Sequence, residues 1–459
     1  MEHYDAIIIG AGQAGVPLAK KLAELGKKTA LIEKRFVGGT CVNDGCTPTK
    51  AMVASAKAAH DARHAAALGI DVQNVTVDLK KIKARKDEIV KSFRNGSQKG
   101  IEETKNLTLI FGEARFTGQK TLVVKNSDGE KTYKAELIFI NTGAAVSIPD
   151  IAGLDAVDYL TSTTILDLEQ VPEKLLVIGG NYIGLEFGQM FSRFGSKVTV
   201  LERSSRIMGR EDEDVSAEMS AILKEEGVDI LTDTQIIKID KNEDNVTVHY
   251  QVGENKHQIS GSHVLIATGR IPQTKHLGLE AAGIETDDKN YIVVNDTLKT
   301  NIAGIYALGD VKGGPAFTHI AYNDYTIVYR NLFENKNFSI ADRPVPYCMF
   351  TDPQLGRIGV SEAEAKKKGL NYKVAKLPMS QVARGIETGE TLGFMKAVVD
   401  VNSKKIIGVA ILSSIGGELM SVLQMAMDGG ITYDQIRYGV YAHPTYSESF
   451  NNLFMKLEE

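Results

Sequence analysis

One pattern occurs twice in this chain and constrains its fold more than any other feature. An apolar run leads into a glycine-rich turn, then a helical pattern, then a second apolar run that ends on a glutamate. In the first copy, Ala6 to Ile9 leads into Gly10-Ala11-Gly12-Gln13-Ala14-Gly15. A helical pattern follows through Leu25 and stops at Gly26, and Thr29 to Ile32 precedes Glu33. In the second, Leu175 to Ile178 leads into Gly179-Gly180-Asn181-Tyr182-Ile183-Gly184. That helix reaches about Phe194, Gly195 stops it, and Lys197 to Leu201 precedes Glu202. The interval from first glycine to glutamate is the same in both. A lone glycine motif means little, but strand, turn, helix and acid in this order are what a dinucleotide-binding βαβ unit requires. Each copy closes later on a strand running into Thr-Gly, at Thr142-Gly143 and Thr268-Gly269. The expected fold class is α/β, with two Rossmann-like dinucleotide-binding domains.

The glycines let the backbone approach a pyrophosphate, which sits at the positive end of the following helix. Gly10, Gly12 and Gly15 are candidates at the first site, Gly179 and Gly184 at the second. Glu33 and Glu202 stand where a carboxylate accepts hydrogen bonds from an adenosine ribose; the alternative for each is a surface carboxylate at a strand end. Asn181 replaces the second glycine of the second copy. Asparagine tolerates left-handed backbone better than most residues, so the turn is expected to survive. Glu202 accepts from a free 2′-hydroxyl and repels a 2′-phosphate, which favours NADH over NADPH, with Arg203 and Arg206 close enough in sequence to soften the preference.

At 459 residues the chain exceeds one ordinary core. The expected divisions are a first nucleotide domain at 1–148, a second at 149–269, a return segment at 270–338 that completes the first, and an α+β domain at 339–459. A helical stretch is expected from Lys50 to Glu103, with Ile82, Ile89 and Phe93 on one face that is read as solvated, a membrane or partner surface being the alternative. Net charge is −5, so no positive excess exists to neutralise phosphates and no nucleic-acid partner is expected. The N-terminal apolar run is short, lacks a basic leader and ends in glycines. No segment approaches the roughly 18 apolar residues that a membrane span needs. A cytoplasmic protein with no membrane partner is expected, and the sequons at Asn74, Asn106 and Asn245 carry no meaning.

Three cysteines are too few for a disulfide scaffold in a chain this long. Two of them form a close pair, Cys41-x4-Cys46. Pro48 suits the first turn of a helix. Cys46 then lies near that helix's N-terminus, where the dipole favours a thiolate, and Lys50 lies one turn on along the same side. No second pair or histidine cluster completes four zinc ligands, so no metal site is expected. Redox chemistry is the reading for the pair, with two inert thiols as the alternative. The third, Cys348, is read as a buried small apolar residue.

The run GGTCVNDGCTPTK, taken with both nucleotide motifs, resembles the class I pyridine nucleotide-disulfide oxidoreductases. These include dihydrolipoyl dehydrogenase, glutathione reductase and mercuric reductase. The resemblance covers essentially the whole chain. It implies FAD at the first site and NAD(P)H at the second, with a C-terminal dimerisation domain. It implies FAD contacts from Gly39, Thr40, Thr142, Gly143 and from Asp310 in Ile305-Tyr306-Ala307-Leu308-Gly309-Asp310. It also implies that Phe317, Thr318 and His319 run under the flavin. Gly269 marks the link out of the NAD(P)H domain. Glu186 matches a glutamate that pairs with Lys50 beside the flavin. His443-Pro444-Thr445-Tyr446-Ser447-Glu448 matches the family's acid–base motif, with His443 oriented by Glu448 and reaching the site from the other subunit of a homodimer. Electrons then pass from NAD(P)H through FAD to the Cys41–Cys46 disulfide. Cys46 is the flavin-side sulfur and Cys41 the exposed thiol that meets the substrate.

Within the family, mercuric and thioredoxin reductases carry a further C-terminal thiol pair, and no cysteine follows Cys348 here. The segments GCTPTK and PAFTHIA look more similar to the RclA-like flavoproteins, whose members reduce hypothiocyanous acid. The expected substrate is a small oxidised sulfur electrophile of that kind. Dihydrolipoyl dehydrogenase is the alternative; a true mercuric reductase and a low-turnover flavin redox sensor rank behind it. Tyr441 and Tyr446, on either side of His443, either narrow the channel or pack an interface.

Overall fold

Apolar runs that alternate with glycine-stopped helices give parallel strands whose two faces are both covered. The computed structural model describes residues 1–242 and 245–457. In it, strand Glu2–Ile9 pairs in parallel with Thr29–Glu33 on one side and with Gly129–Ile140 on the other. Leu107–Phe111 extends the sheet beyond Thr29–Glu33, and the late strand Ile305–Ala307 pairs with Gly129–Ile140. Glu113–Gly118 and Thr121–Asn126 add an antiparallel meander.

The second motif repeats this topology. Asp229–Leu231, Lys197–Leu201, Lys174–Ile178 and His263–Ile266 pair in that order, all in parallel. Gln235–Asn242, Asn245–Val252 and Asn255–Gly261 form the matching antiparallel trio. A third, antiparallel sheet has the order Tyr347–Met349, Gln354–Gly359, Ile406–Ser413, Phe394–Asp400, Tyr372–Pro378. Helix Gly416–Asp428 buries Leu419, Met420 and Leu423. The fold is thus α/β, with two Rossmann-like domains and a C-terminal α+β domain.

The chain divides into two compact units. The first comprises Met1–Ala51, Ala84–Ser147 and Gly269–Arg343; the second comprises Met52–Lys83, Ile148–Thr268 and Pro344–Glu459. Strand alternation fills both faces of each parallel sheet. Ile7 and Ile9 join the core with Phe116 and Ile138, whereas Ile8 joins Leu18, Leu31 and Phe139. In the second unit Leu175 and Val177 meet Phe187 and Phe191, while Leu176 and Ile178 meet Ile239 and Val248.

The stretch expected to be helical from Lys50 to Glu103 is two helices, Cys46–His64 and Leu79–Glu102. A 3₁₀ turn at Ala65–Leu68 and an irregular link separate them. On the expected face, Ile82 and Ile89 are half-buried. Leu79, Lys86, Val90 and Ile101 form the buried stripe, and Phe93 is 56% exposed. The aliphatic stem of Lys86 fills an apolar position, which a hydrophobic pattern alone does not reveal. No described helix is long and apolar enough to cross a membrane.

Candidate active site

The two glycine turns are built alike. Gly10 and Gly179 have φ of +106° and +116°, a region open to glycine. A Cβ on Gly10 would lie 2.3 Å from the Asn141 carbonyl oxygen, and one on Gly179 would lie 2.5 Å from that of Ala267. Glu33 accepts from the Ala11 N–H at 2.9 Å and the Arg35 N–H at 2.8 Å. Glu202 accepts from the Gly180 N–H at 2.7 Å and the Ser204 N–H at 2.8 Å. Each carboxylate therefore fastens its glycine turn to the strand end and keeps lone pairs for a ribose hydroxyl. The equal interval from glycine to acid was the sequence signal for this shared geometry.

The copies differ where the helix begins. Helix Gly15–Glu24 follows Ala14, which provides no side-chain cap; the Val16 N–H donates to the Gly12 carbonyl at 3.1 Å and Pro17 carries no N–H. Helix Tyr182–Phe194 follows Asn181, whose Oδ1 accepts from the Tyr182 N–H at 2.9 Å. Asn181 has φ −109° and ψ −176°. This is extended backbone that any residue adopts, so the left-handed tolerance expected of Asn181 is not used. Arg206 donates to the carbonyls of Gly209 and Glu211, and Arg203 is exposed.

In the first unit, Asp310 lies in the turn Gly309–Lys312 that follows strand Ile305–Ala307. Burial raises its carboxyl above the usual carboxylate range, and Asp324 adds to this, while Arg270 and Lys312 oppose it. Arg270 Nε is 4.0 Å from Asp310 Oδ2, too far for a hydrogen bond, and is buried with no hydrogen-bond partner among the described residues. A buried orphan donor is costly and marks a place for a polar ligand. The uncapped helix, the glycine turn, Glu33, Asp310 and this donor fit the pyrophosphate, ribose and polyol of FAD.

Sequence reasoning placed neither Arg270 nor Asp324 in the site. Asp324 is fully buried. It accepts from the Gly309 N–H at 2.8 Å, lies 3.4 Å from Lys312 Nζ and pairs with Arg343. Thr142 Oγ1 donates to the Gln273 carbonyl, and Gly143 accepts from the Gln273 N–H. The Gly269 carbonyl accepts from the Ser147 N–H. Phe317 and His319 stack at 5.4 Å, and Thr318 opens helix Thr318–Phe333.

The cysteine pair spans two helices. Cys41 lies inside the short helix Gly39–Asn43, and Cys46 opens Cys46–His64. A Cβ on Gly39 would lie 2.8 Å from the Gly12 Cα, so this loop rides directly on the first glycine turn; Thr40 beside it is exposed. No disulfide joins the two sulfurs, and Cys46 is exposed while Cys41 is half-buried. This reverses the expectation that Cys41 is the exposed one. Cys41 is flanked by the buried Val42 and Asn43, whereas Cys46 is the first residue of its helix. Cys46 Sγ is 3.5 Å from Thr318 Oγ1. The Cys41 thiol is pushed far above the usual thiol range, first by its hydrogen bond with Cys46, then by burial and the Cys46 charge. The Thr318 hydroxyl and Lys50 pull the other way. Cys46 sits at the helix N-terminus, where the dipole favours a thiolate.

In the second unit, His443 Nδ1 lies 3.0 and 2.9 Å from the two oxygens of Glu448. Its ring is 67% exposed, so an oriented imidazole faces outward. Glu448 is placed by its own N–H, which donates to Thr445 Oγ1 at 3.2 Å. Tyr441 donates to the Ile436 carbonyl, and the Tyr446 hydroxyl lies 2.7 Å from Thr388 Oγ1. Both rings pack against the core of their own domain. Glu186 is buried and accepts from the Phe350 N–H at 2.8 Å. Cys348 is half-buried rather than buried, because it sits on a strand at the edge of its sheet.

Two nucleotide cradles, a dithiol at a helix start and a His–Glu dyad define a flavin- and nicotinamide-linked disulfide reductase. The chain belongs to the pyridine nucleotide-disulphide oxidoreductases: that family's profile matches residues 4–324, and its dimerisation domain matches residues 345–454. It is an NAD(P)H-dependent flavoprotein disulfide reductase, with FAD and a pyridine nucleotide as cofactors. A probable pyridine nucleotide-disulfide oxidoreductase, RclA, of Escherichia coli (strain K12) is 37% identical over 458 residues, covering 99% of each chain. A mercuric reductase of Lysinibacillus sphaericus is 35% identical over 97% of this chain and 81% of its own. A solved structure described as the Cu(II) complex of HOCl-induced flavoprotein disulfide reductase RclA from Escherichia coli is 37% identical. It covers 99% of both chains with a TM-score of 0.91. Within the family the chain is RclA-like.

Proposed function

We propose that this reductase passes electrons from NADH to a small oxidised sulfur electrophile, hypothiocyanous acid, as a cytoplasmic homodimer serving oxidative-stress defence. The observation that carries the reading is the half-buried Cys41 beside Cys46, in a chain whose only other cysteine is Cys348. A half-buried sulfur admits a small electrophile more readily than a bulky disulfide, and no second pair exists to relay electrons outward. The HOCl-induced relative agrees with a stress role.

Bound FAD supplies the two-electron relay between nicotinamide and the cysteine pair. Cys41 attacks the electrophilic sulfur, forms Cys41–S–SCN and releases the hydroxyl, which leaves as water once protonated. Cys46 thiolate then attacks Cys41 Sγ, closes the disulfide and releases thiocyanate. His443 of the partner subunit, oriented by the partner subunit's Glu448, takes the proton from Cys41 Sγ as it attacks and passes it to the departing hydroxyl. Lys50, one turn on from Cys46 in the same helix, holds positive charge on the flavin side of the pair. Exposed Val422, Met425, Tyr438 and Val440 lie in the domain that carries His443; a second copy of the chain would cover them. Glu202, held by two backbone N–H groups, favours NADH.

Steady-state NADH consumption with hypothiocyanous acid tests the reading. Turnover well above the oxygen background is expected, and its absence contradicts the assignment. Rapid NAD reduction by dihydrolipoamide would instead favour dihydrolipoyl dehydrogenase.

A further inference from the structure

The segment between the two cysteines is held from outside by two arginines. Asn43 is buried. Its Nδ2 donates to the Val37 carbonyl at 3.0 Å and the Gly39 carbonyl at 2.9 Å. Its Oδ1 accepts from Arg94 Nε at 2.7 Å. Arg94 lies on helix Leu79–Glu102, far from this loop in sequence. The next residue, Asp44, pairs with Arg35. Both guanidiniums face the Phe36 ring, Arg94 at 3.9 Å and Arg35 at 5.4 Å from its centroid. The loop they grip is tied to the first glycine turn, since the Gly38 N–H donates to the Ala11 carbonyl at 2.8 Å.

We propose that Arg94, assisted by Arg35, is a positioning residue that sets the redox equilibrium of the Cys41–Cys46 pair. The proposal rests on the reading of that pair as redox-active. A disulfide is favoured over its dithiol in proportion to how closely the open form already holds the two sulfurs together. The peptide between them is short, and Asn43 and Asp44 are its two side-chain anchors. Loss of the Arg94 N–H leaves the buried Asn43 Oδ1 without this donor and frees the segment. The dithiol then samples wider separations, and the disulfide becomes easier to reduce. Lysine keeps the charge but has neither the fixed Nε–H direction nor the flat face that lies on Phe36. R94K therefore behaves as R94M does if position is what matters.

The test equilibrates the FAD-loaded protein anaerobically with graded ratios of reduced to oxidised dithiothreitol. One dithiothreitol gives up two electrons and closes to its cyclic disulfide as the Cys41–Cys46 bond opens. Its two protons pass to the new thiols or, where a thiolate persists, to solvent. Acid quenching, alkylation and mass spectrometry then count free Cys41 and Cys46, a readout independent of turnover. Wild type, R94M, R94K and R35Q are compared at matched flavin content. The expected result is that R94M and R94K reach half-reduction at a ratio roughly tenfold lower than wild type, ~30 mV for a two-electron couple. R35Q is expected to shift in the same direction by less. Unchanged midpoints in R94M and R94K overturn the proposal, even if those variants melt earlier. A shift in R94M with none in R94K also overturns it, because charge and not position would then be responsible. If R94M fails to fold, R94K and R35Q decide by the same criterion. If wild type forms no Cys41–Cys46 disulfide at any ratio, the redox reading itself fails, an outcome distinct from equal midpoints.

Discussion

Asn181 stands where the first copy has Gly12, and the difference is one side-chain oxygen. Asn181 Oδ1 occupies the Tyr182 N–H, a donor that a pyrophosphate at this helix would otherwise use. Replacing Asn181 by Gly releases it. One hydrogen bond is worth about 1 kcal/mol net, so N181G is expected to lower KM for NADH roughly fivefold with kcat unchanged. Initial rates over a range of NADH concentrations check this, and an unchanged or higher KM contradicts it. The cysteines carry a pH prediction at the same scale. Because the hydrogen bond with Cys46, burial and the Cys46 charge all raise the Cys41 thiol, Cys41 stays protonated across the neutral range. Iodoacetamide should label Cys46 first as pH rises, and Cys41 should label faster in C46S than in reduced wild type. Equal Cys41 rates in the two proteins would contradict the coupling.

The helix Cys46–His64 carries redox chemistry at its first residue and a charged network along its length. Within the second unit, Lys57 Nζ is 3.2 Å from Asp352 Oδ2, and Arg193 Nη1 is 2.8 Å from the same carboxylate oxygen. Arg193 and Asp352 side chains are 6% and 11% exposed. Removing one member of such a pair leaves the other charge buried, so Asp352→Ala is expected to cost about 3–5 kcal/mol, read as a lower guanidinium midpoint by circular dichroism. His60 lies beside this network. Burial first, then Arg193 and His64, lower its pKa, while Glu226 and Asp352 oppose. The unfolded chain therefore binds its proton more readily than the folded one. Stability attributed to His60 is intact above the unfolded value of about 6.5 and falls as pH drops below it. H60Q should show a smaller loss between pH 7.5 and 5.5 than wild type.

The same helices show what a sequence can and cannot reveal. Gly10, Glu33, Gly179 and Glu202 were legible because their chemistry is local, a turn and a carboxylate at fixed spacing. Arg270, Asp324 and Arg94 were not, because each acts on a partner that only the fold brings near and no periodicity marks them. The buried stripe of Leu79–Glu102 was not legible for a related reason: Lys86 hides an apolar stem behind a charge.

At the scale of the molecule, the duplicated topology explains why one chain holds two nucleotide sites, and the C-terminal domain explains the expected homodimer. If His443 and Glu448 serve the cysteines of the partner subunit, two defective subunits can complement each other. Random mixing of Cys46→Ser and His443→Gln subunits should give heterodimers with one intact site, restoring about a quarter of wild-type activity; mixtures as inactive as the parents would place all catalytic groups in one subunit. The central claim is that electrons from NADH arrive at the Cys41–Cys46 pair with Cys46 beside the flavin. Anaerobic titration of the flavin-loaded protein with NADH, followed by absorbance, tests it most directly. The account predicts a long-wavelength band after two electrons, absent in C46S, that hypothiocyanous acid discharges. Bleaching of the flavin at the first equivalent with no such band, or the same band in C46S, would contradict it.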